Sequence, residues 1–529
     1  MKTIINKSEK FKNFNTKTKM KTIIKLILIS FILSVNSSYS QNFQWANTGG
    51  GTGQDMGYGI DVDILGNVYT TGSYSGSVNF GSQNLTGMGG NDMFLVKYNS
   101  SGAVQWALKG GGVANDAGYA IATDVSGNSY VVGGFAISAT FGPYTLTSSG
   151  FGDLFIVKYN SAGVVQWAKN IDGSYLYFPY NVAVDNTGNC YVLGNFSHSV
   201  TIGTTTLNTS GATDMFIAKY SSAGSFQWAK RGGGAAWDYA KGITYDNSTG
   251  KICVTGSYQG VANFGSLSLT SGAPAYSSNA FIVKYSLSGT EFSAVTSGGT
   301  GNCSSEGIGV DALGNQYIRG QFTGTAIFGS TVLISSGSDN LFIAKYNSAG
   351  VLNWVKKESP IPTAWGRSIK TDASGNSYIY GQFDGIAAIG DFTLTGSGSI
   401  IAKYDNAGNV KWATKVVDGY NRIFGISCNN SGNSYIAGEY WQNATFGTIT
   451  LNAVWGDDAF ISKLDDVTNL ITGNTFIDYD GDGILDVGEP PYPGIITESS
   501  PGNINSISGA SGNYYTYCGL GTFDTYIPY

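Results

Sequence analysis

The sequence predicts an all-β fold: a seven-bladed β-propeller, closed by its own N-terminal strand and followed by a small module with a calcium loop. Three observations predict it. A Gly-Asn pair followed one residue later by tyrosine recurs about every sixty residues, at Gly66-Asn67, Gly127-Asn128, Gly188-Asn189, Gly314-Asn315, Gly375-Asn376 and Gly432-Asn433, with Gly250-Lys251 as a degenerate copy. A period of that size marks an array of one supersecondary unit. Glycine is abundant, at 76 of 529 residues, and charged residues make up only 12%; such a composition favours turns and strands over long helices. Finally, the repeats are one strand short, and the N-terminal segment supplies a matching strand.

The N-terminus reads as a secretory signal. Lys21 and Lys25 precede an apolar run over 26–33 that is too short to span a bilayer. Ser38-Tyr39-Ser40 offers small residues where a signal peptidase reads them, so residues 1–40 are expected to be removed before Gln41, with Met20 as the true start. No membrane span is expected once this segment is gone. Residues 1–40 hold eight Lys and one Glu, so their removal moves the net charge from −6 to about −13. A chain that acidic is a poor partner for nucleic acid or anionic lipid. Five cysteines, an odd number with no CxxC spacing, predict no disulfide framework. Cys253 stands where the other repeats carry tyrosine and reads as a small buried filler.

Each repeat within 41–466 holds four strands. In the copy over 118–170 they run 119–124, 130–135, 154–159 and 164–169, with an extra hairpin near Thr140 to Leu146. Four antiparallel strands in some sixty residues make one propeller blade. The first strands carry a large face (Ile60, Ile121, Val182, Ile243, Ile308, Ile369, Ile426) and a small one (Gly59, Ala120, Asn181, Gly242, Gly307, Ser368, Gly425). Large against small lets neighbouring sheets pack closely. The fourth strand is marked by Trp106, Trp167, Trp228, Phe292, Trp354 and Trp412, and the missing copy is Phe43-Gln44-Trp45-Ala46. That segment is expected to complete the last blade and hide its edge. The pattern Asp-x-x-Gly-Asn-x-Tyr, then Asp-x-Phe-Ile-x-Lys-Tyr, then Trp, over roughly 42–465, resembles the SBBP-type β-propeller repeat of secreted bacterial proteins. The resemblance implies a propeller and export, with no agreed biochemical activity.

After a linker at 467–472, residues 473–529 form the last module. Asp478, Asp480, Asp482, Ile484, Asp486 and Glu489 occupy positions one, three, five, seven, nine and twelve of a calcium loop, with Gly483 at its sharp turn. Alternating oxygen ligands suit a structural Ca²⁺. No amphipathic helix flanks the loop. The neighbouring Gly473-Asn474-Thr475-Phe476, Gly512-Asn513-Tyr514-Tyr515 and Gly521-Thr522-Phe523 resemble the B-type domains of serine–aspartate-rich surface adhesins, which implies a small Ig-like sandwich with calcium. This copy stops where a final strand would be finishing, so a truncated module is expected.

Chemistry-bearing motifs are sparse. The one histidine, His198, reads as a solvated loop residue, and no zinc set, triad, Walker loop or dinucleotide fingerprint is present. Lys97, Lys158, Lys219, Lys284, Lys345, Lys403 and Lys463 recur in the third strands, and Asp63, Asp124, Asp185, Asp246, Asp311 and Asp372 close the first strands. Seven copies of one group point to framework, and each lysine is expected to reach an Asp-containing turn. An asymmetric site must use unrepeated positions. The loops leading into the first strands supply Tyr175, Tyr177, Tyr180, Trp237, Tyr239, Trp365, Arg367, Tyr420 and Arg422 around one channel mouth. Aromatics with a few charges suit a glycan or a protein partner. The expected function is a secreted or cell-surface, monomeric, non-catalytic binding or adhesion scaffold. The rival is a polysaccharide lyase or glycosidase using Glu306 with Asp55, Asp116 or Asp238.

Overall fold

The computed structural model describes residues 43–150, 152–272, 277–336, 340–358, 368–418 and 421–465, and five short strands between 469 and 526. It divides into Gln41–Asp466 and a second unit that includes Val467–Tyr529. Every regular element is a strand, and no helix among the described residues is long and apolar enough to cross a membrane.

Gln41–Asp466 is a β-propeller of four-stranded antiparallel repeats. In the first, Asp55–Val62, Val68–Phe80, Gln83–Tyr98 and Val104–Gly110 pair in order. In the second, Ala117–Thr123, Ser129–Phe135, Asp153–Tyr159 and the start of Val165–Val184 do the same. These bounds match the expected strands within two residues at their starts. The extra hairpin is Ser138–Phe141 with Tyr144–Thr147. The fourth strand departs from expectation: Val165–Val184 runs on without a break to become the first strand of the next repeat. Here Ile171-Asp172-Gly173 replaces the triple glycine that ends the corresponding strands at Gly51, Gly112 and Gly234, so nothing interrupts the extended backbone.

The first strands converge, each touching the next: Asp55–Val62, Ala117–Thr123, Val165–Val184, Tyr239–Asp246, Cys303–Val310, Ile369–Thr371 and Arg422–Cys428, with the last touching the first. Their small faces explain how. A Cβ on Gly307 would lie 2.9 Å from the Ser368 Cα, and one on Gly425 would lie 2.9 Å from the Tyr58 carbonyl oxygen. Backbone meets backbone there, so only the smallest side chains fit. The opposite face buries Ile60, Ile121, Val182, Ile243, Ile308, Ile369 and Ile426. Phe43–Gly51 pairs antiparallel with Ile449–Leu464; Trp45 stands opposite Lys463 and Thr48 opposite Phe460. The same strand also reaches forward, pairing Gly49 to Gly51 with Phe80 to Val78 of the first repeat.

Two sequence expectations need correction. The fourth strand of the fourth repeat is Glu291–Thr296, but Ser293, not Phe292, faces Lys284 where Trp228 faces Lys219. Phe292 is exposed and lies under the Lys251 ammonium at 4.0 Å. The lysines, too, reach a different partner. Lys97 Nζ donates to the Ser161 carbonyl at 3.1 Å, Lys158 to Ser222 at 3.0 Å and Lys219 to Leu287 at 2.9 Å, each in the turn after the third strand of the following repeat. Each lies over its own repeat's tyrosine ring, at 5.0, 4.9 and 5.2 Å. The aspartates are already saturated within their own turns: Asp63 accepts from the Leu65 and Asn67 amides and from Asn67 Nδ2. The Tyr69 hydroxyl lies between Asp63, at 3.2 Å, and the Gly127 carbonyl of the next repeat, at 3.0 Å.

Buried carboxylates face each other between repeats. A Cβ on Gly111 would lie 2.3 Å from an Asp92 oxygen and 2.8 Å from an Asp116 oxygen; on Gly233 it would lie 2.4 Å from Asp214 and 3.0 Å from Asp238. The corresponding pair across the first and last repeats is Asp55 with Asp458. Both are fully buried, and neither Asp55 oxygen accepts a well-formed hydrogen bond. Burial, and then the Asp458 charge, push the Asp55 carboxyl from 3.8 up to about 8, with the Ser75 and Gly51 amides pulling weakly the other way. Burial lifts Asp116 and Asp238 to about 7.

In the second unit, Asn469–Asn474 pairs with Asn513–Cys518, and Ile496–Ser500 pairs with both Ile504–Ile507 and Asp524–Tyr526. The calcium loop at 478–489 lies outside the described residues, as does the signal segment 1–40.

The raised carboxyls set a pH dependence. The folded state holds protons at these pairs that the unfolded chain releases near pH 4, so their contribution is full below pH 4 and is lost as pH rises toward 8. Melting of the chain is expected to fall between pH 5 and 8.5. Asp55→Asn is expected to flatten that slope, because Asn421 holds the equivalent place in the last repeat and its Oδ1 accepts the Trp441 amide at 2.8 Å. Calorimetry of both proteins across this range checks it; an unchanged slope refutes it.

Candidate functional site

Repeated polar groups in the propeller are spent on joining one repeat to the next, so a recognition site must lie where the repeats differ. The loop leading into the first strand of the fourth repeat is such a place. Its backbone is pinned by a parallel bridge between Trp237 and Thr213. Trp237 stands where other repeats carry Gln54, Asn115 and Asn302, and its ring is 46% exposed. Tyr239 packs beside it, with ring centroids 6.2 Å apart and planes 24° from parallel.

Below this shelf is a cavity of about 280 Å³ between the fourth and fifth repeats. Its walls are the carboxamides of Gln259, Asn302 and Gln321 and the hydroxyls of Ser257, Ser278 and Ser304, with Lys241 and Phe322 completing it. Lys241 is held by Glu306: Nζ to Oε1 is 2.6 Å, and the Ser304 hydroxyl donates to the same oxygen at 2.8 Å. Both partners stand in the same column of the repeat, where Tyr58 and Tyr119 stand elsewhere. That these two residues form an ion pair across neighbouring repeats was not legible in the sequence.

The remaining candidates are spread out. Arg422 forms an ion pair with Glu439 and lies 5.5 Å over the Phe424 ring. Phe424, Tyr58 and Tyr119 form an aromatic cluster with centroid distances of 5.3 and 5.5 Å. This group belongs to the last, first and second repeats, whereas Trp237 and Tyr239 belong to the fourth. Tyr175, Tyr177 and Tyr180 lie within strand Val165–Val184, where Tyr175 pairs with Ser197 and Tyr177 with Asn195. Trp365, Arg367 and Tyr420 lie outside the described residues. The carboxylates considered for an enzyme do not gather at the cavity. Glu306 is held by Lys241, and Asp55, Asp116 and Asp238 are buried in the contacts between repeats. His198 is exposed at a φ of 68° within Cys190–Ile202. Cys190, Cys253, Cys303 and Cys428 are free thiols, the first three buried. Among the described residues, no group of three or more His, Cys, Asp or Glu gathers as a metal cluster would.

No protein-family model matches the chain. A WD repeat-containing protein of Acanthamoeba polyphaga mimivirus is 23% identical over 501 residues, covering 75% of this chain and 36% of that protein. The chain thus spans little more than a third of that relative's length. Among solved structures, the β-propeller domain of the Trilobed protease from Pyrococcus furiosus aligns with a TM-score of 0.40 at 10% identity, over 79% of this chain and 94% of that one. A polysaccharide lyase, an ulvan lyase, aligns with a TM-score of 0.29 at 11% identity, over 92% and 97% of the two chains.

Because Trp237 caps the cavity from outside, its removal should not disturb the core. Trp237→Ala is expected to change stability by no more than about 0.5 kcal/mol, the usual range for surface substitutions. Chemical denaturation of the two proteins checks this; a loss of several kcal/mol would show that the ring packs a core instead.

Proposed function

We propose that the chain is a secreted or cell-surface, non-catalytic binding scaffold. Its propeller has seven blades and is closed by the N-terminal strand, and its loop face binds a glycan or protein partner. The observation that carries the binding reading is the Trp237–Tyr239 shelf over a polar cavity, at a position the repeats do not share. Aromatic surface beside convergent hydrogen-bonding groups is what binding sites use for orientation and affinity. The ring is supported by the contact of each first strand with the next and by the pairing of Phe43–Gly51 with Ile449–Leu464. A monomer fits a closed array, whose blades leave only short, protected edges to recruit a second copy. Export rests on the signal-like segment at 1–40.

The C-terminal module acts as a spacer whose Ig-like sandwich is held by structural Ca²⁺. That reading rests on Asp478, Asp480, Asp482, Ile484, Asp486 and Glu489 at calcium-loop spacing. Calorimetric titration of the mature chain with CaCl₂ is expected to show one site, weakened about tenfold or more in an Asp480→Asn, Asp482→Asn double variant. No heat of binding, or unchanged binding by the variant, would refute the site.

For the propeller face, the mature chain is expected to bind a subset of a glycan array or of extracellular proteins, and Trp237→Ala is expected to lose that binding with its melting unchanged. Release of cleaved or unsaturated products from a polysaccharide would overturn the non-catalytic reading. Binding indifferent to Trp237→Ala would move the site elsewhere on the face.

A further inference from the structure

The chemistry of the cavity narrows its ligand, given that the propeller face binds a glycan. We propose that the cavity under Trp237 takes one neutral sugar residue, with the apolar face of its ring on the Trp237–Tyr239 shelf.

Size comes first. A volume of about 280 Å³ lies at or below the low end of the roughly 300–1,000 Å³ common for drug-sized ligands. It holds one ring rather than several, and the rest of a chain would leave through the open mouth. The walls match a polyol. Carboxamides both donate and accept, and serine hydroxyls do either, which is what a ring carrying hydroxyls on every side requires. Asn302 is already oriented: its Oδ1 accepts the Ser278 amide at 3.1 Å, so its Nδ2 side is the donor it offers. The shelf supplies the apolar surface that the C–H face of a sugar ring needs, since an exposed tryptophan combines apolar area with little side-chain freedom.

Charge excludes the acidic sugars. Among the described residues Lys241 is the one formally charged residue in the lining, and Glu306 neutralises it at 2.6 Å, with the Ser304 hydroxyl bonded to the same carboxylate. A uronate or sulfate entering the cavity would lose its hydration without meeting an uncompensated cation. An amino sugar would meet no uncompensated anion. A neutral ring incurs neither cost. The relevant side chains also come from two adjacent repeats, so the cavity exists only where the fourth and fifth meet.

The test is one array carrying neutral gluco-, manno-, galacto- and xylo-oligosaccharides beside alginate and sulfated galactan oligomers, probed with the full mature chain. Binding to a neutral series is expected, changing by less than about twofold between 50 and 500 mM NaCl because no ion pair is made. Trp237→Ala and Gln321→Ala are each expected to weaken it by about tenfold or more, with melting unchanged. Selective, salt-sensitive binding of alginate or sulfated galactan would overturn the neutral-sugar assignment and leave the glycan-binding function standing. Binding of neutral chains that ignores both Trp237→Ala and Gln321→Ala would overturn the cavity as their site. No glycan bound in either class would overturn the assignment and the glycan branch of the function together.

Discussion

The closest constraint in this protein is the approach of one first strand to the next. At Gly307 and Gly425 there is no room for a single extra carbon between neighbouring backbones. Strands that near must be followed outward by sheets that splay, and the splay fills with large side chains: Ile60, Ile121, Ile243, Ile308 and Ile426 on the broad face, then the buried tyrosines. Every further link joins one repeat to its successor. The Tyr69 hydroxyl reaches the Gly127 carbonyl, and the Tyr130 hydroxyl reaches that of Gly188 at 2.8 Å. Lysines reach forward in the same way. The architecture is a nearest-neighbour array, which frees the loops at the channel mouth to differ without cost to the framework.

That freedom explains what was legible in the sequence and what was not. Four strands per repeat follow from local alternation and Gly-Asn turns, so their positions could be read to within a residue or two. The role of Phe43 to Ala46 could be read because the repeats lacked one partner. Contacts between repeats are a different matter, since they join residues far apart in the chain. The lysines and aspartates stood in register on paper, yet each aspartate is filled by its own turn, and the ammonium goes to a carbonyl of the following repeat. Phe292 was misplaced because an aromatic stands one residue from the true position: Ser293 follows Tyr285 at the spacing at which Trp228 follows Tyr220, and both repeats carry the same bulge. At the site, Trp237 and Tyr239 were visible as unrepeated aromatics. The ion pair of Lys241 with Glu306 was hidden because its members are separated by a whole repeat.

The buried carboxylates carry an argument about the ends of the chain. Where the residue leading into a first strand is aspartate, as at Asp116 and Asp238, the third strand of the preceding repeat carries aspartate five residues before its lysine, at Asp92 and Asp214. Where it is Cys303, the preceding repeat has Asn279; where it is Asn421, the preceding repeat has Gly398 opposite Phe383. In these repeats the two positions change together; Asp153 departs from the pattern, with Tyr177 at the matching place and Asp172 as its charged neighbour. Physics gives the reason: a lone buried carboxylate lacks a partner for its charge, whereas two can share a proton, one donating and one accepting. Asp55 has no preceding repeat in the chain order, and Asp458 has no following one. They stand in the same two positions relative to each other, and after burial the Asp458 charge is the next cause of the rise at Asp55. Two residues at opposite ends of the propeller sequence can face each other as Asp92 faces Asp116 only if the first and last repeats are adjacent in space, and that is the arrangement the ladder between Phe43–Gly51 and Ile449–Leu464 produces.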